Sequence, residues 1–92
     1  MKGSCELCDR DGIELTIHHL TPRELGGSHL PIAYLCISCH KQIHALYSNR
    51  ELANRLNTVL LLKDDEELKK YLKWIKKQPV TRAVKIRKSK TK

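Results

Sequence analysis

The sequence has no phenylalanine, a single tryptophan and 4% aromatic residues, so the side chains that usually dominate a core are scarce. A chain of 92 residues also buries a modest share of its surface, and with few large apolar groups it needs a staple, either a metal or a disulfide, to hold one compact domain. No apolar run approaches the length that spans a bilayer, which argues against a membrane protein. Residues 1–6 have no apolar stretch after their one lysine that would act as a secretory signal. A cytoplasmic, reducing setting is therefore expected, and there close cysteine pairs read more readily as metal ligands than as disulfides. Acidic residues are missing from the end of the chain: beyond Pro79 it reads VTRAVKIRKSKTK, with Arg82, Lys85, Arg87, Lys88, Lys90 and Lys92 unopposed.

Those residues carry much of a net charge of +8, the balance of 18 Lys and Arg against 10 Asp and Glu. A basic tail over residues 80–92 suits a polyanion, while the plainer reading is a solubilising end. Composition changes again near Ser48. Before it the chain is rich in Cys, His, Gly and Pro; after it the pattern is helical. Residues 1–79 are expected to form one domain, with a metal-stapled core over 1–47 and a helical extension over 48–79, because neither piece is long enough to hold a core alone.

The segment ELTIHHL, residues 14–20, alternates loosely and reads as a short strand ending in paired histidines. Pro22, Gly26 and Gly27 punctuate a loop, residues 32–35 give a second strand, and Cys39, Ile43, Leu46 and Tyr47 recur at helical spacing over about 38–47. Ser48 followed by Glu51 has capping-box spacing and predicts a helix over about 49–56. Residues 58–62 are apolar and expected to be buried, as helix or as strand. Asp64 with Glu67 predicts another helix start, after which Leu68, Tyr71, Leu72 and Ile75 form one stripe, with Trp74 also assigned to the core and Pro79 as the stop.

Cys5-x-x-Cys8 and Cys36-x-x-Cys39 are two identical short knuckles, suited to placing four thiolates around one structural zinc. Buried free thiols or disulfides are the alternatives. A four-cysteine site has no open coordination position, so its contribution is folding energy and not catalysis. Four of the five histidines lie in two tight groups, His18 with His19 and His40 with His44. The second pair is i and i+4, which stacks both rings on one helix face.

CELCDRDGIELTIHHLTPRELGG and LCISCHKQIH together resemble the zinc-stapled form of the HNH, or ββα-metal, nuclease family. The resemblance spans roughly residues 5–44. It implies an α+β fold in which a small ββα-metal core with a structural zinc is followed by further helices and the basic tail. It also implies roles. His19 corresponds to the general base, His18 and His40 to ligands of a catalytic divalent metal, and His44 to an additional histidine that completes the metal site or contacts phosphate. Magnesium, manganese, nickel or zinc would suit such a site. One departure stands out: Pro31 occupies the position of the asparagine that normally pins the loop opposite the base. His29 is the expected substitute anchor or a phosphate contact, with a merely exposed loop residue as the alternative.

The implied reaction is metal-dependent hydrolysis of DNA phosphodiester bonds, with double-stranded DNA as the first expected substrate and nicking by a monomer. A double-strand break would need two visits, a homodimer or a larger host complex. Arg23, Lys41 and the tail residues Arg82, Lys85, Arg87 and Lys88 are the expected phosphate contacts, with Arg50 and Arg55 also flanking the site. Phosphate contacts give affinity without sequence preference. The competing reading is a non-catalytic zinc-binding module for nucleic acid or protein, which explains the cysteines and the charge but gives the four histidines no reason to converge. A metal store or sensor would use the histidines and leave the basic tail without a role.

Overall fold

The loose alternation of ELTIHHL is realised as a strand. In the computed structural model, which describes residues 1–80, β2 (Ile13–His19) pairs antiparallel with β1 (Lys2–Gly3) on one side and β3 (Ile32–Cys36) on the other. Strand β1 was not evident from sequence, being two residues long. Four α-helices follow among the described residues: α1 (Ile37–Leu46), α2 (Asn49–Arg55), α3 (Val59–Asp64) and α4 (Glu66–Ile75). The fold class is α+β, as expected. No helix among the described residues is long and apolar enough to cross a membrane.

Register in the β2–β3 ladder sorts the side chains. Thr16 faces Leu35 and His18 faces Ala33 across the strands, and these positions look inward, while Ile17 and Tyr34 form an exposed pair on the other face. The turn to helix is immediate. Cys36 ends β3 and its sulfur also caps α1, accepting the Cys39 N–H at 3.4 Å, so one residue is strand end, helix cap and candidate ligand. Helix α1 then buries Cys39 and Ile43 against the strands, with Leu46 and Tyr47 packing beside them.

The later helices start where side chains can satisfy free backbone N–H groups. Ser48 and Glu51 form the complete capping box of α2, and Thr58 caps α3 through the Leu61 N–H. The cap of α4 is Asp65, which accepts from the Leu68 N–H at 3.2 Å; Asp64, expected in that role, is the last residue of α3. Leu68, Tyr71, Leu72 and Ile75 are buried as the periodicity predicts. Trp74 is not core, at 44% exposure, because each helical residue advances about 100°, which carries it to the flank of the stripe. Expected burial of residues 58–62 holds for Leu62 and in part for Val59, whereas Leu60 and Leu61 are exposed, since so short a helix presents only one face to its neighbours.

Candidate functional site

The two cysteine knuckles close in the same way. The Cys8 N–H points at Cys5 Sγ and the Cys39 N–H at Cys36 Sγ, both at 3.4 Å. Asp9, in left-handed backbone with φ 65°, turns the chain away after the first knuckle. All four sulfurs are buried and lie within 4.8 Å of one another. Cys8 and Cys36 are 3.9 Å apart. A tetrahedron with arms of about 2.3 Å has edges of about 3.8 Å, so the spacing fits four thiolates about one zinc-sized ion.

Sequence reasoning missed what surrounds these sulfurs. Arg10 is buried and sends Nε to Cys8 Sγ at 3.4 Å and Nη2 to Cys36 Sγ at 3.5 Å, while Nη1 reaches the carbonyls of Gln78 and Pro79. Tyr71 donates its hydroxyl to Cys39 Sγ at 3.5 Å. The two sulfurs that face Arg10 are the ones pulled below the ordinary thiol range, Cys8 by hydrogen bonding with Cys36, Cys39 and Cys5 and from Arg10, and Cys36, to about 6, by hydrogen bonding with Cys39 and Cys5. No spacing rule announces an arginine two residues beyond a knuckle.

The histidines form the second cluster. Strand β2 supplies His18 and helix α1 supplies His40 and His44, the latter two stacked at i and i+4 with ring centroids 5.0 Å apart. The His18 ring lies 5.1 Å from His40 and 5.4 Å from His44, and one nitrogen from each ring falls within 4.8 Å of the others. Burial, then the neighbouring His40, His44 and His19, pushes the His18 pKa down to about 4, and burial likewise lowers that of His40, ahead of His44 and His19. Neutral imidazole is the form that coordinates a metal.

His18 provides the sharpest test of fit. It is 1% exposed, yet neither Nδ1 nor Nε2 has a hydrogen-bond partner among the described residues. Leaving buried polar atoms unsatisfied costs about 1–3 kcal/mol each, and a divalent ion shared with His40 and His44 would occupy one of them. The Thr16 hydroxyl oxygen lies 2.8 Å from His40 Nδ1. His19, next along β2, is half-buried and takes no part in the three-histidine set, but it is near enough for its charge to act on both His18 and His40.

The loop between β2 and β3 is ordered without an asparagine at position 31. The Pro31 carbonyl accepts the Leu20 N–H at 3.3 Å, and the Pro22 carbonyl accepts from Leu25 and Gly27. Gly27 lies so close to the Thr21 carbonyl that a Cβ there would sit 1.7 Å from the oxygen, so only glycine fits. Glu24 accepts from the Asn49 amide, tying the loop to α2. His29, Arg23, Lys41 and Arg50 are all exposed. Arg55 is engaged elsewhere, paired with Glu51 and Asp65 and lying over the Tyr47 ring. Arg82, Lys85, Arg87 and Lys88 lie outside the described residues.

Residues 5–46, from the first cysteine to just past His44, match the family described as HNH endonuclease. A Bacillus subtilis (strain 168) protein, "Uncharacterized protein YisB", is 59% identical over 87 residues, which cover 95% of this chain and 87% of that protein. No solved structure matches the chain.

Proposed function

The chain belongs to the HNH endonuclease family, and on that premise we propose that it is a metal-dependent nuclease hydrolysing phosphodiester bonds of DNA. The observation that carries the reading is His18, a buried imidazole whose two nitrogens have no partner among the described residues and whose ring lies against those of His40 and His44. A binding module would leave that convergence without a use.

Cys5, Cys8, Cys36 and Cys39 hold a structural zinc in this reading, and His18, His40 and His44 hold a catalytic divalent ion. That ion, when bound, supplies neutralisation of the charge that develops on the departing 3′ oxygen. His19 acts as general base: its free ring nitrogen takes the proton of a water whose oxygen attacks phosphorus, and as that bond forms the bond to the 3′ oxygen breaks, leaving a 5′-phosphate. Neutral imidazole keeps one unprotonated ring nitrogen, which is what a general base needs. Arg23, Lys41 and His29, with Arg82, Lys85, Arg87 and Lys88 of the tail, contact phosphates, giving affinity without sequence preference.

The test is cleavage of supercoiled plasmid by the purified protein with magnesium, manganese, nickel, zinc or EDTA, beside His19→Ala checked for retained zinc. Wild type is expected to nick DNA with a divalent ion, and the zinc-loaded variant to lose at least a hundredfold in rate, the lower range of general-base contributions being about 10²-fold. If neither protein cuts under any metal while both retard DNA on a gel, the nuclease reading fails and a binding module replaces it.

A further inference from the structure

We propose that Thr16 is a positioning residue for the histidine site, its hydroxyl fixing His40 in the tautomer that presents Nε2 to a divalent ion. The inference rests on the metal-binding part of the proposed function and not on the hydrolysis. Thr16 Oγ1 donates to the Leu35 carbonyl at 2.9 Å and lies 2.8 Å from His40 Nδ1. A hydroxyl has one hydrogen, and a carbonyl oxygen only accepts, so that hydrogen is committed to Leu35. What remains for His40 is a lone pair, and Nδ1 must carry the proton to use it. In neutral imidazole the other nitrogen is then the unprotonated one, the form able to coordinate.

The scaffold holds each member of this relay. Thr16 stands opposite Leu35 in the β2–β3 register, so the ladder itself sets the spacing of hydroxyl and carbonyl. Branching at Cβ restricts the rotamers open to threonine, which limits where the hydroxyl can point. Helix α1 begins directly after β3, placing His40 in its first turn above the strand pair. Thr16 and His18 are two residues apart on one strand and share its inward face, so β2 contributes one ring to the cluster and also the group that orients a ring from the helix. Serine keeps the hydroxyl; valine keeps the shape and removes both hydrogen bonds.

The experiment uses full-length, 15N-labelled protein with one equivalent of zinc. Two-bond proton–nitrogen correlations of the imidazole rings at neutral pH report which His40 nitrogen is protonated. We expect Nδ1–H in wild type and in Thr16→Ser. In Thr16→Val the Nε2–H form that free imidazoles prefer should become the major one. Nickel titrated calorimetrically into the same samples should bind Thr16→Val roughly 10- to 100-fold more weakly than wild type, the usual effect of losing an outer-shell partner, with Thr16→Ser restoring the affinity. Thiolate-to-cobalt charge-transfer bands, read on parallel cobalt-substituted samples, should be the same in all three proteins, which separates tautomer control from a general loss of structure.

His40 found as Nε2–H in wild type overturns the proposal without any variant, and so does a folded Thr16→Val with wild-type tautomer and nickel affinity. Should Thr16→Val not fold, the wild-type tautomer and the behaviour of Thr16→Ser still decide it. Plasmid cleavage enters neither readout. A protein that cuts nothing but follows this pattern would overturn the nuclease reading and leave the role of Thr16 standing.

Discussion

Arg10 shows how much one side chain can carry in a molecule this small. A guanidinium at 8% exposure is costly to bury unless every face of it is paired, and here the fork spans two sulfurs and two backbone carbonyls. It thereby joins the cysteine cluster, which forms the start of the domain, to the chain just beyond α4. Arg10→Ala should cost about 3 kcal/mol in urea unfolding, the lower end of the range for breaking a buried charged pair. It should also speed zinc release to a colorimetric chelator severalfold. Arg10→Lys should not rescue either effect, because a point-like ammonium cannot face both sulfurs and both carbonyls at once. Wild-type release kinetics in Arg10→Ala would mean that the N–H to sulfur contacts contribute nothing to holding the ion.

At the scale of elements, Asp65 is where α1, α2 and α4 meet. Its carboxylate caps α4, accepts the Tyr47 hydroxyl from the end of α1, and pairs with Arg55 of α2 at 3.4 Å. Burial, reinforced by that hydrogen bond to Asp65, raises the Tyr47 pKa to about 12, so the phenol stays a donor throughout the physiological range. Asp65→Ala removes a cap and a hydrogen bond to a charged group together, and about 2–4 kcal/mol of stability should go with them. Asp65→Asn should lose less, since it keeps the cap. Both are checked by thermal melts, and equal melting temperatures for the two variants would show that charge, not capping, is what matters. Sequence spacing foresaw a cap in this region and chose Asp64, because a one-residue shift preserves most of the helical pattern. The same limit recurs along the chain. The strand ending in His18 and His19, the knuckles and the stripe from Leu68 to Ile75 were legible because each is a short-range periodicity. Trp74 and Leu60 were misplaced because side-chain type outweighed angular position. Arg10 and the Glu24–Asn49 tie were invisible because their partners are distant in sequence, whereas Thr16, two residues before His18, was within reach of the alternation rule.

Across the described residues a single buried cluster runs from Cys5 through Leu35, Ile43 and Leu62 to Ile75, and the four cysteines lie inside it. The sulfurs are therefore not an appendage. They are contacted by Arg10, which follows the first knuckle, and by Tyr71 from α4, so the cysteine-bearing front and the helical back share one core. Magnitudes decide the outcome of removing the ion. Domains are stable by about 5–15 kcal/mol, and a structural zinc contributes apparent binding energies of about 10–16 kcal/mol, so in the zinc-bound reading of the four cysteines the ion would be worth as much as the fold itself. A strong chelator should therefore unfold the protein as a unit. Helical circular dichroism, which comes mostly from α1 to α4, should fall with the same midpoint as the fluorescence of Trp74, whose ring lies 6.2 Å from Tyr71 and so reports on the helix that contacts Cys39. Zinc should restore both signals and magnesium neither, because thiolates discriminate strongly against a hard oxygen-seeking ion. If the helical signal instead survives chelation while only near-ultraviolet signals change, α2 to α4 fold on their own, and the contacts from Arg10 and Tyr71 to the sulfurs do not couple the two halves.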